Sequence, residues 1–345
     1  MRINLRSFKL KTYFIKYIRI LLVLLLSVLI LNTKVDAKVL KGGGATFPAS
    51  FYQECITAYN QTHQSKIYYQ KMGSAKGFMA FKDQALDFVG IDMFLNDNHL
   101  KMYAGELLHI PTCLSAIVLT YHLPGHPIIN LTSDLISAIY RGEILFWDDD
   151  KIAEHNPDIY LPHLRIIPIY RQDGSGSTYI FSEFLTKTNQ TWKNSMGVNG
   201  LLNFSVGMGA ESSNDMIDLL TQLPGSIAYI GRNYAIDASF PMAAILNKSG
   251  RYVFPTLKNI SLAADCELPA DGRVFCTDTD NKLGYPLASF SWIVIPKNTK
   301  NENHTLLKNF ITWLITDGQE IANSIGYAKL PKQASDCGLN QLIEY

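Results

Sequence analysis

A glycine- and serine-rich turn set between a strand and a helix constrains this chain more than any other stretch. Arg165–Tyr170 (RIIPIY) is apolar and β-branched, the pattern of a buried strand. Arg171–Thr178 (RQDGSGST) follows it, and Tyr179–Lys187 then repeats apolar residues at helical spacing. A strand, a flexible turn and a helix in that order aim a helix N-terminus and several backbone N–H groups at one point. Arg171 adds a permanently charged planar fork, and Ser175, Ser177 and Thr178 add hydroxyl donors. Asp173 has the wrong sign to meet an anion and is better suited to orienting Arg171 or a hydroxyl. The turn reads as an oxyanion cradle. A plain Ser-capped turn is the alternative for this stretch taken alone.

The pattern recurs. Residues 38–47 (KVLKGGGATF) run from a short strand through a triple glycine to Thr46 and Phe47, and the spacing predicts a helix over Ala49–His63. Lys66–Gln70 reads as a strand, followed by a turn through Gly73, Ser74 and Gly77 and a helix as far as Lys82. Asp92 closes the apolar stretch ALDFVGIDMFL (85–95), where a carboxylate is either a functional acceptor or a turn cap. Leu107–Tyr121 is apolar throughout, long for one strand and suited to crossing between two domains. Leu135–Trp147 reads as a helix turning at Gly142, and Asp148–Asp150 as a solvated helix start. Trp192–Asn203 reads as loop. Val206–Ser213 is a further Gly/Ser stretch, leading to a helix over Met216–Gln222 and a strand over Ser226–Ile230. Residues 256–285 read as irregular, Leu287–Ile295 as a strand returning to the first domain, and Leu306–Ile325 as an amphipathic helix pair. Strands alternating with helices imply an α/β fold with largely parallel sheets, whose ligands sit where strand C-terminal ends meet helix N-termini.

With 345 residues, 47% of them hydrophobic, the chain has the material for two domains. Its start reads as a signal peptide over residues 1–37. Arg2, Arg6, Lys9, Lys11, Lys16 and Arg19 precede the apolar run Ile20–Leu31, and Val35-Asp36-Ala37 offers small residues for cleavage after Ala37. Residues 1–37 hold seven of the 31 Lys/Arg and one of the 30 Asp/Glu, so the remainder carries 24 basic against 29 acidic side chains, a formal charge of −5. That balance excludes nucleic acid and anionic membrane as partners on bulk charge, and an anion must be bound by local dipoles and hydrogen bonds. The five cysteines show no CxxC and no zinc-type spacing, and no metal or cofactor is implied. Cys266 and Cys276 flank a loop-like stretch and are the pair expected to form a disulfide, whereas Cys55 and Cys113 fall in buried elements. A serine hydrolase or phosphatase using Ser175 lacks support, because there is no GxSxG and the eight histidines are scattered.

Taken together, GGGATFP (42–48), GSAKG (73–77), DFVGID (87–92), YRGEILFWDD (140–149), RQDGSGST (171–178), GMGAESSND (207–215) and LPGSIAYI (223–230) resemble the periplasmic phosphate-binding proteins of phosphate ABC transporters. The order is kept along nearly the whole chain beyond residue 37. The resemblance implies a two-lobed, type II α/β binding protein, with residues 38–115 plus 288–345 as one lobe and 116–287 as the other. It implies a monomeric, non-catalytic receptor that delivers phosphate to an inner-membrane permease. By position, Thr46 and Phe47 donate from the first loop and Ser74 from the second. Arg171, held by Asp173, pairs with the anion, and Ser175, Gly176 and Ser177 donate from the central turn. Asp92 then accepts the proton that hydrogen phosphate carries, which argues against sulfate or molybdate as the ligand, since neither brings that proton. Ala75 stands where relatives often carry a second serine, and residues 256–283 depart from the family pattern.

Overall fold

The computed structural model describes residues 39–101, 106–297 and 303–345. The expected signal segment, residues 1–37, lies outside them. Eleven strands occur among the described residues: β1 (Val39–Gly44), β2 (Lys66–Lys71), β3 (Phe88–Ile91), β4 (Leu107–Tyr121), β5 (Asn130–Leu131), β6 (Ile167–Arg171), β7 (Met208–Ala210), β8 (Ser226–Gly231), β9 (Ala244–Leu246), β10 (Tyr252–Val253) and β11 (Ala288–Pro296). Eight of them form one sheet in the order β2-β1-β3-β11-β4-β8-β6-β7, and β10-β9-β5 form a smaller one.

β4 organises the large sheet. Its first part pairs antiparallel with β11, from Leu107 opposite Pro296 to Ala116 opposite Ala288. Its last five residues, Ile117–Tyr121, pair antiparallel with β8. Every residue of β4 after Leu107 is buried, as an uninterrupted apolar strand covered on both faces must be. The fold is α/β, but the expectation of largely parallel sheets holds only in the two wings. β1 runs parallel to β2 and β3, and β6 runs parallel to β7 and β8. The seam β3-β11-β4-β8 is antiparallel, because β4 and β11 traverse the middle of the sheet in opposite senses.

The triple glycine lies inside β1 and serves packing. A Cβ on Gly42 would collide with the Phe88 ring, and one on Gly77 would come within 2.3 Å of the Gly44 Cα. The missing side chains let the helix Ser74–Lys82 and the strand β3 lie directly against β1. The elements not evident in the sequence include a helix Gln190–Ser195 capped by Asn189, a helix Leu257–Ala263 capped by Thr256 within the stretch 256–285 expected to be irregular, the helix Arg232–Asp237, the short strands β5, β9 and β10, and β7 inside the Gly/Ser stretch. After the helix His304–Ile315 and the 3-10 segment Asp317–Ile325, the tail forms another helix, Lys332–Glu344. Gly338 of that helix packs on Ile110 and Ile315.

All five thiols are unbonded, so the expected Cys266–Cys276 disulfide is absent. The loop does bring the two together, Cys276 buried and Cys266 partly exposed, joined through a thiol hydrogen bond.

Candidate functional site

The nine residues singled out from the sequence gather in one neighbourhood, at the ends of β1, β3 and β6. Arg171 closes β6 and is 1% exposed. Its Nε donates to Asp173 Oδ1 and its Nη2 to Asp173 Oδ2, both at 2.6 Å. This bidentate pair fixes the plane of the guanidinium and points Nη1 the other way. Nη1 donates to Thr46 Oγ1 at 3.3 Å and to Ser213 Oγ at 3.0 Å, and those two hydroxyls lie 2.8 Å apart. The Arg171 N–H donates to the Tyr229 hydroxyl, which in turn meets Thr178 Oγ1 at 2.8 Å. Burial pushes the Tyr229 phenol up to about 12, which keeps it a neutral hydrogen-bonding post.

The central turn behaves as both of its readings. Ser175 caps the helix Gly176–Thr188, its Oγ accepting from the Ser177 N–H at 3.1 Å. The Ser177 amide is therefore spent on the cap, and what this turn can offer an anion is its hydroxyls and the Gly176 N–H. Gly176 has no room for a side chain, since a Cβ there would lie 2.6 Å from Asp92 Cβ and 2.7 Å from Ser74 Oγ. Ser74 opens the helix Ser74–Lys82, and its Oγ accepts from the Asp92 N–H at 3.4 Å. Phe47 is wholly buried, its carbonyl taken by the Tyr327 hydroxyl at 2.6 Å, while the Thr46 carbonyl is held by the Tyr234 hydroxyl at 3.0 Å.

Asp92 is 2% exposed just after β3. The Ser291 hydroxyl donates to its Oδ1 at 2.7 Å, across 199 positions of sequence. Burial pushes the carboxyl up to about 7, against the opposing pull of the Ser291 hydrogen bond and of the Arg171 charge. Its Oδ1 is thus used on a side chain of β11 rather than on a backbone N–H of its own turn.

A cavity of about 390 Å³ opens on the Arg171 face, its inner wall formed by Thr46, Gly73, Arg171, Asp173 and Ser213. Asp92, Ser74, Ser175, Gly176 and Ser177 are buried behind that wall. Sequence reading missed three contributors. Ser213 was visible only as part of a Gly/Ser stretch. Ser291 was signalled faintly by two serines alternating in the apolar run LASFSWIVI. Tyr229, on the apolar strand β8, gave no signal.

A mixed sheet with strand ends, helix N-termini and buried hydroxyls gathered around one arginine is the arrangement of a binding protein whose site suits an oxyanion. The sequence matches the family described as the PBP superfamily domain over residues 32–318. It is 30% identical to the phosphate-binding protein PstS of Methanocaldococcus jannaschii over 337 residues, covering 90% of this chain and 87% of that one. The phosphate-binding protein PstS of Haemophilus influenzae is 28% identical, with 86% and 90% covered. Among solved structures, a high-affinity periplasmic phosphate-binding protein, PfluDING, bound with phosphate, superposes with a TM-score of 0.72 at 21% identity, over 87% of this chain and 92% of that one. A putative phosphate ABC transporter substrate-binding protein of Clostridium perfringens gives a TM-score of 0.64 at 18% identity, over 85% and 100%. The chain belongs to the PBP superfamily, in its PstS-type family of phosphate-binding proteins.

Proposed function

We propose that this protein captures hydrogen phosphate and hands it to an ABC permease for import. The observation that carries the reading is a buried arginine, held by Asp173, in the same site as the buried Asp92 carboxylate, whose Oδ1 already accepts from Ser291. The guanidinium and the surrounding hydroxyls of Thr46, Ser74, Ser175, Ser177 and Ser213 donate to anionic oxygens. Asp92 offers the one acceptor, through its second oxygen, and so demands a ligand that brings a proton. Sulfate brings none and, above about pH 7 where Asp92 is ionised, would face an unpaired, desolvated carboxylate. Phe47 and Gly176 contribute backbone N–H groups, and Asp173 acts only through Arg171.

The relatives' names support phosphate as ligand and a transporter as partner. The parallel wings of the sheet support two lobes, residues 38–115 with 288–345 and residues 116–287, joined through β4 and β11 around the site. We read the protein as exported through residues 1–37, monomeric and without catalytic activity.

Calorimetric titration of the ligand-stripped protein tests the reading. Phosphate and arsenate bind, sulfate does not, and Asp92→Asn gains sulfate while losing phosphate affinity by roughly tenfold or more. Silence toward phosphate in the unaltered protein removes the proposal.

A further inference from the structure

The two oxygens of the Asp92 carboxylate stand in different surroundings. Oδ1 accepts from the Ser291 hydroxyl at 2.7 Å. Oδ2 lies toward the central turn, where a Cβ on Gly176 would come within 2.8 Å of it and within 2.7 Å of Ser74 Oγ. Ser291 is wholly buried on β11 and is itself braced. Its carbonyl accepts from Thr112 Oγ1 at 3.2 Å, and the Tyr52 hydroxyl meets that same Oγ1 at 2.6 Å. A hydroxyl has one proton to give and Thr112 uses its own on Ser291, so Tyr52 is the donor in the second bond. The Thr112 carbonyl is held in turn by Gln319 Nε2 at 3.1 Å. These contacts run from the helix Ala49–His63 through β4 to β11, and they fix the position from which the Ser291 hydroxyl donates.

We propose that Ser291 is a positioning residue that determines specificity for the ligand's proton. By donating to Oδ1 it holds the carboxylate in one orientation and leaves Oδ2 as the oxygen that accepts from the anion. The idea rests on the phosphate reading of the site and adds the residue that sets its acceptor. The same donor favours the ionised carboxylate, the form able to accept. Burial dominates the titration of Asp92, and of the two influences that oppose it the Ser291 hydrogen bond is larger than the Arg171 charge. The other ionisable groups that face Asp92 among the described residues are the phenols of Tyr52, Tyr69, Tyr234 and Tyr327 and the Cys113 thiol. Burial pushes every one of them up, so all are neutral near pH 7 and leave Ser291 and Arg171 to set the acceptor.

The test titrates the ligand-stripped protein with phosphate by calorimetry in buffers of different ionisation enthalpy, which counts the protons released on binding. The variants are Ser291→Ala and Thr112→Val, with Ser289→Ala as control. Ser289 is a buried serine two residues away on β11, whose hydroxyl donates to the Phe290 carbonyl. Without the Ser291 donor the free carboxyl keeps its proton to higher pH, by about one unit for one lost hydrogen bond to a charged group. That proton must leave before hydrogen phosphate is accepted. At about pH 7.5, Ser291→Ala is therefore expected to release about half a proton more per phosphate and to lose on the order of tenfold in affinity. Sulfate is expected to compete with phosphate at lower concentration in this variant. Thr112→Val keeps Ser291 but removes its brace, so it is expected to shift the proton count in the same direction by less. It decides the question where the alanine variant does not fold. Ser289→Ala is expected to match the unaltered protein. Phosphate binding with an unchanged proton count in the folded variants overturns this inference and leaves the phosphate reading standing, even where affinity falls, since the hydroxyl then serves packing alone. A control that shifts as far as Ser291→Ala also overturns it. Failure of phosphate to bind the unaltered protein overturns the phosphate reading and this inference together.

Discussion

Asp92 spends stability to make a specific acceptor. Its carboxyl stands at about 7 against an ordinary value of 3.8, so the folded, ligand-free protein binds a proton more tightly than the unfolded chain does. The sign follows directly: this group's contribution to stability is fully present below about pH 4, declines as pH rises, and is gone above about pH 7. Asp92→Asn removes the ionisable group and its slope while keeping the shape. Thermal melts of the ligand-free proteins from pH 4 to pH 8 are expected to show the variant more stable at pH 8, by about 2 kcal/mol, and the gap closing toward pH 4. A gap that stays constant with pH contradicts the buried-acceptor account. Arg171 and Asp173 stand two positions apart in the sequence, where charge left open whether Asp173 orients the arginine or a hydroxyl; the fold pairs it with the arginine. Ser291 and Ser213 were not assigned, because a serine in an apolar strand or a turn carries no sign of which atom it will meet.

The helix Ser74–Lys82 illustrates how elements set the site. It brings Ser74 to Asp92 only because Gly77 lets it rest on the Gly44 backbone, at a distance no side chain tolerates. In an exposed helix, Gly→Ala stabilises by roughly 0.5–1 kcal/mol. Here Gly77→Ala is expected to destabilise by about 1–3 kcal/mol and to weaken phosphate binding, as the helix moves off β1 and carries Ser74 with it. Urea unfolding together with a phosphate titration checks both halves. Neutral or improved stability means the helix has room the packing denies. The pairing of β4 with β11 is irregular as well: Ser291 pairs with Cys113 and Trp292 with Pro111, which leaves Thr112 of β4 as the extra residue. The bulge thus lies on β4, opposite the serine that serves Asp92, and bends the strand there.

At the scale of the molecule, the C-terminal segments lock the middle of the sheet. Gln319 is buried in the 3-10 segment, where its Nε2 donates to the Thr112 carbonyl at 3.1 Å and the Leu314 carbonyl at 2.8 Å, and its Oε1 accepts from the Leu330 N–H at 2.9 Å. Gln341 Nε2 donates to the His109 carbonyl at 3.1 Å, also on β4. Gln319→Leu leaves three buried backbone groups without their partner and is expected to cost about 3 kcal/mol, with Tm falling accordingly in differential scanning calorimetry. A variant as stable as the parent shows that the tail does not brace β4. The sequence by itself determined the alternation of the main strands and helices, the bounds of β4 and the turns that carry Thr46, Ser74 and Arg171, because these follow from local periodicity and turn chemistry. Tertiary structure alone decided that β11 inserts between β3 and β4, which sets Ser291 against Asp92. It also decided that the helix beginning at Ser213 faces Thr46 across the site. Those contacts join residues separated by 199 and 167 positions, a distance at which no local preference operates and only the closure of the whole sheet selects the partner.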